Sequence, residues 1–387
     1  MIYLDNAASS KIHDEVLTEM LPYLKEQFGN PSSIHRYGRF AQKAIQKARK
    51  QVASLINAEP SEILFTSGGT ESNNTALYGI AKKFPGSRII TSLIEHDAIL
   101  EPCKKLEKEG FEVIYLSVDK EGQIDPLLLE KSITENTSLV SIMLGNNEVG
   151  TLEPIDEIAK ICHERKIILH TDAVQAVGKI PINVKELGIH LLSISSHKIN
   201  GPKGIGALFI KKGIDIDPIM LGGGQENGLR SGTENVANIV GFGKACELAQ
   251  ENFFENTKKM INLRNYLSEK ILQNISGVNL NGHPVKRLPN NIHLTFLGVN
   301  GEDLLIKLDE NGIAASTGSA CSVQIQKASH VLQAMGFSHE QITGSLRLTV
   351  GISNTFEEMD KTVTILKNVI QELRMVSPFK EKYSFLL

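Results

Sequence analysis

Leu191-Leu192-Ser193-Ile194-Ser195-Ser196-His197-Lys198 runs from an apolar stretch into a turn that continues as Gly201-Pro202-Lys203-Gly204. Ile167-Ile168-Leu169-His170-Thr171-Asp172-Ala173-Val174-Gln175 has the same form, an apolar stretch that ends in polar groups. Short apolar runs bounded by turn residues read as buried strands. Each delivers its chemistry at its carboxyl end: a lysine with hydroxyls at one, a carboxylate and an amide at the other.

Outward from this pair the pattern repeats. Ile63 to Thr66, Arg88 to Ser92, Phe111 to Leu116, Leu139 to Leu144 and Ala207 to Ile210 read as further strands, which makes seven. Helical stretches fill most of the gaps; Phe40, Ala44, Ala48, Val52 and Leu55 fall at helical spacing, and another helix starts near Thr70. The rhythm predicts an α/β fold, a mainly parallel seven-stranded sheet with helices on both faces. Ligands in such sheets bind beyond the carboxyl ends of the strands. After about residue 250 the texture changes to a long polar helix (about Glu251 to Asn274), strand-like pieces at Asn291 to Thr295 and Arg347 to Val350, and helices near Ser329 to Met335 and Thr355 to Arg374. We expect a large domain over residues 15–250 and a smaller α+β domain built from 1–14 and 251–387.

Bulk properties narrow the function. The 387 residues are 41% hydrophobic and 22% charged, ordinary for a globular protein. A net charge of −3 with no basic run argues against nucleic acid as a partner. No apolar run approaches the roughly 20 residues of a membrane span, and the N-terminus has no secretion signal. Cys103, Cys162, Cys246 and Cys321 are scattered, with no Cys-x-x-Cys pair, which suits a reducing, cytoplasmic setting. The first three sit in helical stretches and read as packing. The histidines lack metal-ligand spacing, so no metal is expected.

The chemistry-bearing residues form a set. Gly68-Gly69-Thr70 turns a strand into a helix, whose start offers an anion site. His96 follows the strand Arg88 to Ser92, and Asp97 is placed to cap the next helix. Asn147 follows the strand Leu139 to Leu144. Asp172 ends a nearly wholly apolar strand, where a carboxylate is costly unless paired. An amine at Lys198, a carboxylate at Asp172 and phosphate donors at Gly69, Thr70 and Ser195 are what pyridoxal phosphate (PLP) chemistry requires. Arg347 alternates with Leu346 and Leu348 and is placed to grip a carboxylate. Cys321 lies among small residues with no apolar period around it, unlike a core cysteine.

In combination these motifs resemble the NifS/IscS-type cysteine desulfurases over essentially the whole chain. The residues that carry the resemblance are Tyr3-Leu4-Asp5-Asn6-Ala7-Ala8, Phe28-Gly29-Asn30-Pro31-Ser32-Ser33, Phe65-Thr66-Ser67-Gly68-Gly69-Thr70-Glu71-Ser72, Glu95-His96, Asn146-Asn147-Glu148-Val149-Gly150, Asp172-Ala173-Val174-Gln175, Ser196-His197-Lys198, Arg230-Ser231-Gly232-Thr233 and Gly318-Ser319-Ala320-Cys321. The resemblance implies a fold-type-I PLP enzyme of the class-V aminotransferase-like group, working as a homodimer. It implies that Lys198 carries PLP, Asp172 pairs with the ring nitrogen, Gln175 and Asn147 face the phenolic oxygen and His96 stacks on the ring. Gly69, Thr70, Ser195 and His197 would hold the phosphate, with Thr233 reaching in from the partner subunit. Arg347, helped by Asn147, would bind the carboxylate of L-cysteine, and Cys321 would take its sulfur as a persulfide and leave L-alanine.

The resemblance is to the long-loop branch. Two positions depart from it: Gln326-Lys327-Ala328 stands where Glu-Pro is frequent before Ser329-His330-Val331-Leu332, and Asn227 stands where arginine is common. The tail Leu373-Arg374-Met375-Val376-Ser377-Pro378-Phe379 resembles that of members which dock iron–sulfur scaffold proteins. The expected output is sulfur for iron–sulfur cluster assembly or tRNA thiolation. The nearest alternative is a selenocysteine lyase or a short-loop desulfurase; a different class is a sulfur donor for DNA phosphorothioation or a partner-binding platform with little activity.

Overall fold

The structure is a computed structural model that describes residues 1–317, 328–378 and 381–383. Cys321, Gln326, Lys327 and Phe379 lie outside the described residues. Strand β1 (Ile2–Tyr3) opens the chain. The main sheet follows: β2 (Ile63–Thr66), β3 (Arg88–Ser92), β4 (Glu112–Leu116), β5 (Thr137–Ser141), β6 (Ile168–Asp172), β7 (Leu191–Ser195) and β8 (Gly206–Ile210). Their spatial order is β2-β8-β7-β6-β5-β3-β4. Strands β3 to β7 are mutually parallel, while β8 runs antiparallel to both β7 and β2. The expected seven-stranded, mainly parallel sheet is present, with one reversed strand.

The direction of each strand decides where the chemistry collects. β2 is antiparallel to β8, which is antiparallel to β7, so β2 points the same way as β3 to β7. The carboxyl ends of β2, β3, β5, β6 and β7 therefore share one edge. Gly69, His96, Asn147, Asp172 and Lys198 all follow or end those strands. Apolar residues pack on both faces: Val52, Ile142, Leu169, Ile194 and Phe242 belong to one cluster, and Leu77, Ile80, Ile89 and Leu208 to the other.

A second layer begins with β9 (Val278–Asn281) and β10 (Asn291–Phe296), continues through β11 (Ile313–Ala314) and ends at β12 (Ser345–Thr349). β12, β10 and β9 form an antiparallel sheet against the helices Phe253–Asn274 and Phe356–Val376. Leu263, Leu267, Leu294, Leu348, Leu366 and Ile370 fill the space between them. Thr355 and Glu358 form a capping box that starts the last helix. The first residues join this layer. β1 pairs in parallel with β11, Asp5 bridges to Thr349, and Leu4 is wholly buried there.

Two local expectations need correction. The helix Arg36–Leu55 forms, but its buried face is Gly38, Ala41, Ala44, Ile45, Ala48 and Val52, and Phe40 is exposed. The apolar stripe is rotated because Ala41 and Ile45, not Phe40, meet the core. Asp97 does not cap its helix: His96 occupies the cap and accepts the Ala98 N–H at 3.0 Å, and Asp97 is the first helical residue.

Candidate active site

At the shared strand edge lies a cavity of about 380 Å3. Its wall includes Gly69, Thr70, His96, Asn147, Asp172, Gln175, Ser195, His197, Lys198 and Arg347. Ten of the sequence-derived candidates thus meet in one space, contributed by six segments of the chain. Thr233 is exposed and does not line it, and Cys321 lies outside the described residues.

Asp172 ends β6 and is 7% exposed. One carboxylate oxygen accepts the Asn73 amide at 2.7 Å, and the other accepts the Val174 N–H at 2.9 Å. Both donors are neutral, so neither of these contacts is an ion pair. Below it, His170 crosses the sheet: its Nδ1 meets the Ser141 hydroxyl at 2.8 Å and its Nε2 the Ser193 hydroxyl at 3.0 Å. Burial pulls the His170 pKa down to about 3, so the ring is neutral. It ties β5, β6 and β7 together directly beneath the acid.

Lys198 follows β7 in the short turn Ser196–Lys198. Its amine donates to the Ala7 carbonyl at 2.6 Å and the Ala8 carbonyl at 2.8 Å. The Gln175 amide donates to the same Ala7 carbonyl at 3.0 Å. The N-terminal segment is therefore a wall of the site. The His197 ring meets the Ser9 hydroxyl at 3.2 Å. Burial, then the charges of Lys198, Lys203 and Lys179, hold its pKa down at about 4.

The helix Gly69–Ala81 starts at the cavity, and its first N–H groups have no intrahelical acceptor. A methyl group on Gly69 would sit 2.8 Å from Val174 Cγ2, so glycine is required for the helix start to lie this close to the β6 turn. Thr70 and Ser195 add hydroxyls and His197 adds a ring N–H donor. A negatively charged phosphate fits this cradle, a protonated pyridine nitrogen fits Asp172, and an aldehyde fits the Lys198 amine. The donor set thus matches PLP point by point.

Arg347 lies on β12 and is 3% exposed. It donates to the Asn147 carbonyl at 2.8 Å and to the Asp5 carboxylate at 2.9 Å. It is not on a solvent face, because the N-terminal segment and the Asn147 turn cover it. Next to it, Asn146 accepts the Glu148 and Val149 N–H groups and donates to the Ile94 carbonyl, which fixes the turn that carries Asn147.

Several participants were not singled out from sequence. Glu95 is fully buried; its Oε1 accepts from the Ser92 hydroxyl and the Met143 N–H, and burial raises its pKa to about 8. Burial also raises the Glu148 pKa, while Ser329, His330 and Arg347 pull it back. The Ser329 hydroxyl donates to Glu148, and the His330 ring meets the Glu95 carbonyl at 2.9 Å. The segment that resumes after residue 327 is thus tied to the turns that carry His96 and Asn147. A glutamate within Glu95-His96 or Asn147-Glu148 gives no periodic signal; only the fold shows that it is buried.

The described cysteines Cys103, Cys162 and Cys246 are wholly buried, as their helical setting suggests. Burial lifts the thiols of Cys103 and Cys162 to about 12, which makes them poor nucleophiles. Among the described residues no cluster of three or more acidic, histidine or cysteine side chains could hold a metal. No described helix is long and apolar enough to cross a membrane.

Residues 2–362 match the family described as aminotransferase class-V. The chain belongs to that family. The cysteine desulfurase IscS of Dictyoglomus turgidum is 51% identical over 384 residues, which cover 99% of this chain and 98% of that one. A solved NifS-like protein superimposes with a TM-score of 0.90 at 39% identity and covers 97% of this chain and all of that one. A structure titled SspA in complex with cysteine matches with a TM-score of 0.79 at 36% identity, over 92% of this chain and all of that one. The protein is a PLP-dependent cysteine desulfurase with the fold-type-I architecture, as the sequence motifs implied.

Proposed function

We propose that the cavity beyond β2, β3, β5, β6 and β7 is where this desulfurase works, with the residue roles that follow. The observation that carries the assignment is the meeting of Lys198, Asp172 and Arg347, from three distant parts of the chain, around one space. PLP, when bound, supplies an electron sink for the carbon that loses its proton. Lys198 is the amine that holds the cofactor and then takes the proton from the substrate Cα. Asp172 would hold the proton on the ring nitrogen, and Gln175 and Asn147, which line the same cavity, would serve the phenolic oxygen. Gly69, Thr70, Ser195 and His197 hold the phosphate, and Thr233, exposed here, serves the site of a partner subunit.

His96, in the same cavity wall, would stack on the ring. The Ala98 N–H donates to its Nδ1, so the neutral ring carries its proton on Nε2 and exchanges protons there. Arg347, fixed by Asp5 and the Asn147 carbonyl, grips the substrate carboxylate. The Cys321 thiolate attacks the substrate sulfur: an S–S bond forms, the C–S bond breaks, and its electron pair leaves with the carbon, which is protonated to L-alanine. The persulfide then passes to an acceptor protein for iron–sulfur cluster assembly or tRNA thiolation. Met375 and Val376 are exposed at the end of the last helix and suit acceptor docking. Arg374 instead is a buried strut that donates to the Leu297 and Ser276 carbonyls.

A homodimer is supported by the exposed apolar residues Leu17, Leu21, Leu24, Phe28, Ile34 and Tyr37. The division into a large domain (15–250) and a small one (1–14 with 251–387) is supported by the separate apolar cluster that joins Leu4 to residues 260–370. A cytoplasmic setting is supported by three unpaired thiols. The test is to incubate the protein with L-cysteine and measure alanine and enzyme-bound persulfide, beside Lys198→Ala and Cys321→Ala. Loss of the visible cofactor band in Lys198→Ala and loss of persulfide in Cys321→Ala are expected. Undiminished alanine in either variant overturns the corresponding role.

A further inference from the structure

Lys198 also lines a second space, of about 330 Å3, whose wall does not include Asp172. Its wall contains Asn6, Ser10, Lys179, Lys198, Asn290 and Gly351. Lys179 is 5% exposed, yet its amine donates to the Gln175 carbonyl at 2.9 Å. A lysine buried in this way costs free energy that packing alone would avoid with a leucine or methionine. Nothing in the assigned roles uses it.

The placement of Lys179 gives it two routes to the reacting groups. The turn from Asp172 to Gln175 carries both the acid and the amide of the site, and Lys179 closes its far side through the Gln175 carbonyl. Lys179 also shares a cavity wall with Lys198, the other amine. The remaining titratable groups of that wall are His13 and Glu15, while His197 faces both lysines from the turn Ser196–Lys198. Glu15 is exposed to solvent and pairs with Lys244, so it offsets little of the charge next to Lys198.

We propose that Lys179 is a positioning residue for the desulfurase reaction, a second amine that braces the Asp172–Gln175 turn and, through its positive charge, favours the uncharged form of Lys198. The inference rests on the reading of Lys198 as the amine that holds PLP. Two like charges in a desolvated space disfavour one another, so each amine lowers the proton affinity of the other. Burial first, and Lys198 second, bring the Lys179 pKa down to about 7, so its charge acts on Lys198 below that pH and fades above it.

The experiment uses the PLP-loaded protein without substrate and follows its visible absorbance band across pH. In Lys179→Met the midpoint is expected to rise by about one pH unit, a tenfold shift in the protonation equilibrium. Lys179→Gln, which keeps a donor for the Gln175 carbonyl but not the charge, is expected to rise in the same direction. Lys179→Arg is expected to stay near the parent value. Midpoints that stay at the parent value in Lys179→Gln overturn the charge role, even if Lys179→Met fails to fold. A shift of equal size in Lys179→Arg also overturns it, because a merely structural role would then explain all three. Lys198→Ala separates the two readings: a band that persists there with its pH dependence intact removes the role of Lys198 itself, whatever the Lys179 variants do.

Discussion

Replacing Asp172 with asparagine separates its structural work from its chemical work. The carboxylate accepts from Asn73 and from the Val174 N–H. The Asn73 carbonyl oxygen has no hydrogen-bond partner among the described residues. In Asp172→Asn the retained oxygen still accepts from Val174, and the new NH2 faces Asn73. A flip of the Asn73 amide then presents its idle oxygen to that NH2, and both contacts survive. Only the charge assistance is lost, about 1 kcal/mol. Asp172→Ala gives no such rescue. It strips the acceptor from a buried amide and leaves a small void, which costs about 3 kcal/mol. In activity the order collapses, because neither variant has a charge to hold a proton on a pyridine nitrogen. A loss of about 10²–10³-fold in alanine production is expected for both, on the scale of removing one preorganised electrostatic partner. Stability is read from denaturant unfolding of the PLP-free protein and activity from alanine release. An Asp172→Asn protein that turns over L-cysteine at the parent rate, or one as unstable as Asp172→Ala, refutes the reasoning.

Arg347→Leu removes two contacts, to Asp5 and to the Asn147 carbonyl, and with them the proposed grip on the substrate. The KM for L-cysteine should rise by roughly 10–100-fold, the worth of a charged hydrogen bond, with Arg347→Lys in between; an unchanged KM in Arg347→Leu would falsify the assignment. Glu95 gives a pH-dependent stability test. Its folded pKa of about 8 lies above the unfolded value of 4.5. Stability from this group is complete below 4.5 and is lost as pH rises towards 8. Glu95→Gln mimics the protonated acid at all pH values, so its advantage over the parent should grow by roughly 1 kcal/mol per pH unit across that window. Parallel stability curves for the two proteins would show that Glu95 does not titrate there.

The sheet, and the ten candidates that the fold brings into one cavity, were legible because both leave a periodic or positional trace. Buried parallel strands read as apolar runs, and the polar residues that end them stand out against that background, as Asp172 and Lys198 do. The helix Arg36–Leu55 was found with Ala44, Ala48 and Val52 on its buried face, but Phe40 was misplaced, because alanines and a glycine carry much of the contact and leave little hydropathy contrast. An arginine that alternates with leucines, as Arg347 does, has the pattern of a solvent-facing residue as well; its burial involves Asp5, 342 residues away in sequence. Glu95, Glu148, His170 and Lys179 are polar residues whose importance lies in being covered, and what covers them comes from other segments. His170 meets Ser141 and Ser193 only once β5, β6 and β7 are in register. No local pattern encodes such a meeting.

The carbonyls of Ala7 and Ala8 that receive Lys198 and Gln175 are held in place by the far end of the chain. Asn6 donates to the Thr349 carbonyl and the Thr349 hydroxyl accepts from Ala7, while Ile2 and Tyr3 lie beside Ile313 and Ala314. During synthesis, therefore, Lys198 and its sheet emerge long before the strand that pins this wall leaves the ribosome. A nascent chain has the amine but no finished chamber around it until Thr349 has emerged and folded against Asn6 and Ala7.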